Sequence, residues 1–114
     1  MWELYKFGKE MFELAKNHEQ YLLPIKKACL KLLPDSKVYL FGSALTGDLV
    51  AGSDVDLLIV TKKKTLSWKK RAEIVAAIEA KLALPIAHPF EFHVKTENEY
   101  ERFMAIYNPR LKEI

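Results

Sequence analysis

Hydrophobic positions recur at helical spacing at the start of the chain and switch to strand-like runs in its middle. Leu4, Phe7, Met11, Leu14 and His18 follow one another at intervals of three and four, which predicts a helix over residues 2–18. Trp2, Tyr5 and Phe12 add a second apolar side. Such a helix either wedges into the core or uses the extra aromatics to bind a partner or a second copy. Gly8 weakens it locally. Leu22, Ile25, Cys29 and Leu32 outline a second helix over 20–33, with Pro24 in its first turn, where a missing N–H is tolerated. Lys26, Lys27 and Lys31 lie outside that stripe and read as a solvated face, and Pro34-Asp35 stops the helix.

From Val38 the pattern changes. Val38 to Phe41 is a short run of β-branched, aromatic and aliphatic residues, as a buried strand requires. Gly42 breaks the run, and a short helix is expected from about Ala44. A second strand runs from Asp54 to Thr61. Ser67 caps a helix to about Leu84, with Trp68, Ala72, Val75, Ile78 and Leu82 facing inward and Pro85 ending it. A third strand spans 90–94, with Phe90, Phe92 and Val94 on one side and Glu91, His93 and Lys95 on the other. The intervening helix brings this strand back parallel to the second. Thr96 caps a last helix over 97–107 with Glu99 at the capping-box position, docked through Tyr100, Phe103, Met104 and Tyr107. Asn108-Pro109 ends it, and the tail LKEI reads as loose.

This order describes an α+β (α/β) chain with a small mixed sheet of about three strands flanked by helices. At 114 residues it is expected to be a single domain, residues 1–114, with N-terminal helices over 2–33 and a core over 36–107. Half the residues are hydrophobic, enough for a small core. The net charge of +3 is mild and does not indicate nucleic acid; the basic clusters Lys62–Lys64 and Lys69, Lys70, Arg71 are short. The single cysteine, Cys29, cannot form an internal disulfide and reads as a packed thiol. No apolar run approaches the roughly 20 residues that cross a bilayer, and the N-terminus lacks a signal-peptide core, so a cytoplasmic protein without membrane contact is expected. With three histidines and one cysteine, a zinc site is poorly supported; His88 reads as loop and His93 as a surface histidine.

The chemistry gathers between Val38 and Val60. Asp54 and Asp56 alternate along a strand, so both face one side, with Cα atoms roughly 6.5 Å apart. Bare carboxylates beside a buried apolar run are electrostatically poor unless a cation joins them. Ten residues, Ala44 to Ser53, separate Ser43 from Asp54. Gly42-Ser43, ten residues, then Asp54-Val55-Asp56 resembles the signature of the DNA polymerase beta-like nucleotidyltransferase superfamily. The small size points to its minimal nucleotidyltransferase (MNT) branch, whose members are partners and antitoxins of HEPN-domain proteins. The motif covers little of the chain, but the element order fits from about Ser36 to the end.

The resemblance implies the nucleotidyltransferase fold and a Mg2+-dependent enzyme of the EC 2.7.7 type. It moves a nucleoside monophosphate, AMP from ATP or that of another NTP, to a hydroxyl. Asp54, Asp56 and Glu91 are the implied catalytic residues and the ligands of two Mg2+ ions, and Gly42 and Ser43 the implied holders of the triphosphate. Turn and aspartates can be neighbours only if the first two strands run antiparallel. Glu91 lies near the start of a strand that a sheet spacing of about 4.8 Å sets beside them. Many members carry arginine just after the Gly-Ser turn; this chain has Ala44, Leu45 and Thr46. The implied partner is a HEPN-domain protein, as in a toxin–antitoxin pair, and a homo-oligomer remains open. Two alternatives stand beside this: a weak or inactive module that neutralises a partner by covering it, and a transferase acting on a small molecule in a homodimer cleft.

Overall fold

The computed structural model describes residues 2–50 and 52–114. Two helices come first, α1 (Trp2–Lys16) and α2 (Glu19–Leu32), then strand β1 (Lys37–Phe41) and a single helical turn α3 (Ser43–Thr46). Strand β2 (Val55–Thr61), helix α4 (Trp68–Lys81), strand β3 (Phe90–Thr96), helix α5 (Glu97–Tyr107) and the short β4 (Lys112–Glu113) complete the order. The strands form one mixed sheet in the order β3-β2-β1-β4. β1 and β2 are antiparallel, β2 and β3 parallel, as expected from the motif and from the helix between them.

Alternation along the strands makes two unlike faces. Val38 and Leu40 of β1, Val55, Leu57 and Ile59 of β2, and Phe90 and Val94 of β3 pack against Ile25, Ala28, Cys29 and Leu33 at α2 and Ile74 and Ile78 of α4. Burial pushes the Cys29 thiol up to about 12, so it is an inert packed group. The opposite face carries Tyr39, Phe41, Asp56, Glu91 and His93 and is covered only in part by α5. Tyr100 stacks on Tyr39 with centroids 5.9 Å apart, and Phe103 meets Phe41 edge-on at the same distance. Because α5 leaves one end of this face open, polar groups there stay reachable.

Three expectations are corrected. The tail is not loose: Lys112 and Glu113 pair antiparallel with Leu40 and Tyr39, and Ile114 N–H donates to the Val38 carbonyl at 3.0 Å. The free edge of β1 offers unpaired backbone groups, and the tail satisfies them. The inward stripe of α4 is rotated: Trp68 is 83 % exposed while Ile74 is buried. The reason lies in Arg71, which donates to the Leu66 and Val94 carbonyls and to both Glu99 oxygens, at 2.7 to 3.2 Å, and turns its own side of the helix inward. Finally, α1 does not wedge into the core. Leu4 is 71 % and Phe7 48 % exposed, and Ala15 is the buried residue of that helix.

The Arg71–Glu99 pair ties α4 to the junction of β3 and α5. Thr96 and Glu99 form the full capping box as well, so Glu99 serves the guanidinium and the Thr96 N–H together. The Arg71 hydrogen bonds hold the Glu99 carboxyl well down, from 4.5 to about 2, with the Thr96 contacts adding to the shift and partial burial opposing it. A carboxyl depressed on folding contributes stability that is full above its unfolded value and is lost as pH falls through the folded one. Arg71→Ala is therefore expected to cost about 2 kcal/mol in urea melts at pH 7. The gap between variant and wild type should shrink as pH drops from 4.5 toward 2.

Candidate active site

The site is assembled by strand register. Antiparallel pairing sets Phe41 opposite Asp56, so the turn at Gly42 falls beside the start of β2. Parallel pairing sets Glu91 opposite Asp56 on the other flank. One strand position thus receives neighbours from both sides, and the mouth of the sheet becomes acidic.

Gly42 is fixed there by two independent constraints. Its backbone, φ 76° and ψ −156°, lies in a region that side chains exclude. A Cβ built on it would stand 2.5 Å from Asp56 Oδ2. The turn therefore closes directly onto the Asp56 carboxylate, and only a residue without a side chain permits that approach. Ser43 follows at the start of α3, where backbone N–H groups of a first turn lack intrahelical acceptors.

The other Asp56 oxygen, Oδ1, lies 3.2 Å from His93 Nε2, and the same nitrogen lies 3.7 Å from Glu91 Oε1. One ligand atom each from Asp56, Glu91 and His93 falls within 4.8 Å of the others. Asp54 precedes β2, is exposed and lies outside that close cluster, though its charge acts on Glu91. Lost hydration raises the Glu91 carboxyl above its ordinary value, His93 opposes the rise, and the Asp56 and Asp54 charges add to it. Of the three expected carboxylates, Asp56 and Glu91 are brought together next to Gly42, and Asp54 stands at their edge, before the strand begins. The donor set is oxygen-rich, crowded by like charge and open on one side. These are the conditions under which a divalent cation is the natural fourth party.

His93, which the sequence reads as a surface histidine on the Glu91 side of the strand, stands at the site. It follows Glu91 by two positions on the same strand face, and that alternation is the signal that marks it. Its ring packs on Phe41 with centroids 5.4 Å apart, which fixes its direction. His88 lies apart from the carboxylates, paired with Glu79. A groove of about 720 Å3 lined by Trp2, Tyr5, Lys9, Glu13, Tyr21 and Pro85 includes none of them.

The profile of the nucleotidyltransferase domain family matches residues 24–110. No curated protein sequence matches the chain. Among solved structures, one described as a candidate nucleotidyltransferase superposes with a TM-score of 0.63 at 27 % identity, over 82 % of this chain and 97 % of its own. Another, a candidate nucleotidyltransferase from Sulfolobus solfataricus, gives a TM-score of 0.56 at 26 % identity, over 94 % of this chain and 83 % of its own. Helix α1 and the short β4 lie outside the matched residues, whereas the turn, strands β1 to β3 and all four polar side chains lie within them. On the profile match and the shared fold, this chain belongs to the nucleotidyltransferase domain family.

Proposed function

We propose that the chain transfers a nucleoside monophosphate, AMP from ATP, onto a hydroxyl of a partner protein, using divalent cations held by Asp54, Asp56 and Glu91. The observation that carries this reading is the closure of Gly42 onto the same carboxylate that stands opposite Glu91. A phosphate-holding turn and a cation-holding cluster then share one wall. Bound divalent cations would supply charge neutralisation at the attacking and leaving oxygens.

The chain's own residues do the rest. The Gly42-Ser43 backbone and the Ser43 hydroxyl hold the β- and γ-phosphates, leaving the α-phosphorus over the carboxylates. The acceptor oxygen forms its bond to that phosphorus as the bond to the β-phosphate oxygen breaks, and pyrophosphate leaves. Glu91 takes the acceptor's proton in this reading. Asp54 and Asp56 keep the reacting groups in line.

The acceptor must come from outside this open mouth. The exposed aromatics of α1, which the family profile does not include, supply apolar surface for a second protein. A HEPN-domain protein of an antitoxin pair is the partner this reading assigns, and an acceptor tyrosine on it would fit a hydroxyl-directed site. A second reading, a binding module that neutralises by covering, is favoured by Ala44, Leu45 and Thr46 standing where a cation would help hold phosphate.

Incubation with α-labelled ATP, Mg2+ and the protein encoded beside it separates these readings. Label on the partner, dependent on Mg2+, is the expected result. Stable complex formation without label would favour the covering module. Label only on an added small alcohol or sugar would move the acceptor to small molecules.

A further inference from the structure

We propose that His93 is a direct nitrogen ligand of the cation site, and that it biases the site toward a first-row transition ion such as Mn2+ over Mg2+. This rests on the reading that Asp56 and Glu91 hold a cation. The three-carboxylate pattern behind that reading has no place for a histidine, so the inference concerns this chain's own sequence.

Three observations converge. His93 Nε2 is 3.2 Å from Asp56 Oδ1 and 3.7 Å from Glu91 Oε1. Two ligands at right angles on an octahedral ion, each about 2.1 Å from it, stand about 3 Å apart. The Nε2 spacings therefore approach two edges meeting at one corner of an octahedron, and a shift of about 0.7 Å, chiefly of the exposed Glu91 side chain, completes it. Secondly, the ring is held by Phe41 while its backbone is held in the β2–β3 ladder, His93 opposite Leu58. A nitrogen presented by a packed ring at a strand position loses little freedom on ligation. Thirdly, with 32 % of its side chain exposed, the ring borders the open mouth through which an ion would enter.

The chemistry then sets the preference. Magnesium takes oxygen donors and keeps its water, whereas imidazole suits the first-row transition ions increasingly along their series, with Mn2+ at the weak end of it. Adding one such nitrogen to two carboxylates raises affinity for Mn2+ while giving Mg2+ little.

The test uses Mn2+ alone, titrated into the full chain and followed by electron paramagnetic resonance. The bound ion in wild type should show nitrogen modulation from a coordinated imidazole in its spin echo. His93→Gln should abolish that modulation and weaken Mn2+ binding about tenfold or more. Mg2+, measured by competition, should change by less than about threefold. Bound Mn2+ without nitrogen modulation in wild type overturns the proposal, as does unchanged Mn2+ affinity in His93→Gln. Loss of that nitrogen-free binding in Asp56→Asn would show that the carboxylate site stands without the histidine. Wild type that takes up no Mn2+ and no Mg2+ would overturn both readings together.

Discussion

Asp56→Asn is expected to lower nucleotidyl transfer by roughly a thousandfold or more while leaving the fold as stable as before. The loss follows from position. Asp56 is the one carboxylate flanked on both sides, by Gly42 through one oxygen and by His93 through the other, with Glu91 opposite it in the ladder. Removing its charge takes away several kcal/mol of stabilisation at the reacting phosphate. Stability should behave differently. The Asp56 charge helps to raise the Glu91 carboxyl, so it repels a neighbour in the folded state. A raised carboxyl loses folding stability as pH rises past its unfolded value. Asparagine relieves that repulsion and can still accept from His93, so thermal melts above pH 5 should match or exceed wild type within about 1 kcal/mol. Initial rates and melting curves on one preparation check both halves.

Gly42→Ala should damage both properties. The backbone there, φ 76° and ψ −156°, costs a side-chain-bearing residue about 1–3 kcal/mol. The new methyl would also meet Asp56 Oδ2 at 2.5 Å. Either the turn or the carboxylate must move, and a displacement of about 1 Å at a reacting centre costs on the order of a hundredfold in rate. Urea melts should show the first effect and single-turnover transfer the second. Full activity in this variant would mean that the turn and the aspartate do not work as one site.

Much of the fold was legible because its signals are local. Gly42 after the run Val38–Phe41, alternation across Asp54, Val55 and Asp56, and the Thr96–Glu99 capping box each depend on residues a few positions apart. Strand directions were legible because turn and aspartates had to meet. What the sequence hid depends on distant partners. The tail became β4 because β1 had a free edge, which nothing in Leu111–Ile114 reveals. The rotation of α4 comes from carbonyls of Leu66 and Val94 and from Glu99, 28 positions away, with which Arg71 pairs. Asp35 looked like a helix stop, yet it accepts from the Thr61 hydroxyl at 3.1 Å and the Lys62 N–H at 3.0 Å, fastening the entry of β1 to the exit of β2. In α1, period alone could not say whether the stripe meets the core.

At the site the balance was similar. Asp54, Asp56, Glu91 and Gly42 were marked by residue type and spacing, and the sheet brings Asp56, Glu91 and Gly42 together, with Asp54 just ahead of β2. His93 was marked only by alternation, since its importance comes from Asp56 across the ladder and from the Phe41 ring beneath it. The N-terminal helix lies outside the residues that the family profile matches. Among the described residues no helix is long and apolar enough to cross a membrane, so its aromatics do not form a span.

The central claim is that one wall of this sheet binds a nucleotide and its cations together. A crystal structure of the chain with a non-hydrolysable ATP analogue and Mg2+ tests it most directly. The account predicts the β- and γ-phosphates on the Gly42-Ser43 turn and metal density bonded to Asp54, Asp56 and Glu91. A triphosphate bound elsewhere, or ordered at the turn with those three carboxylates bare of metal, would contradict it.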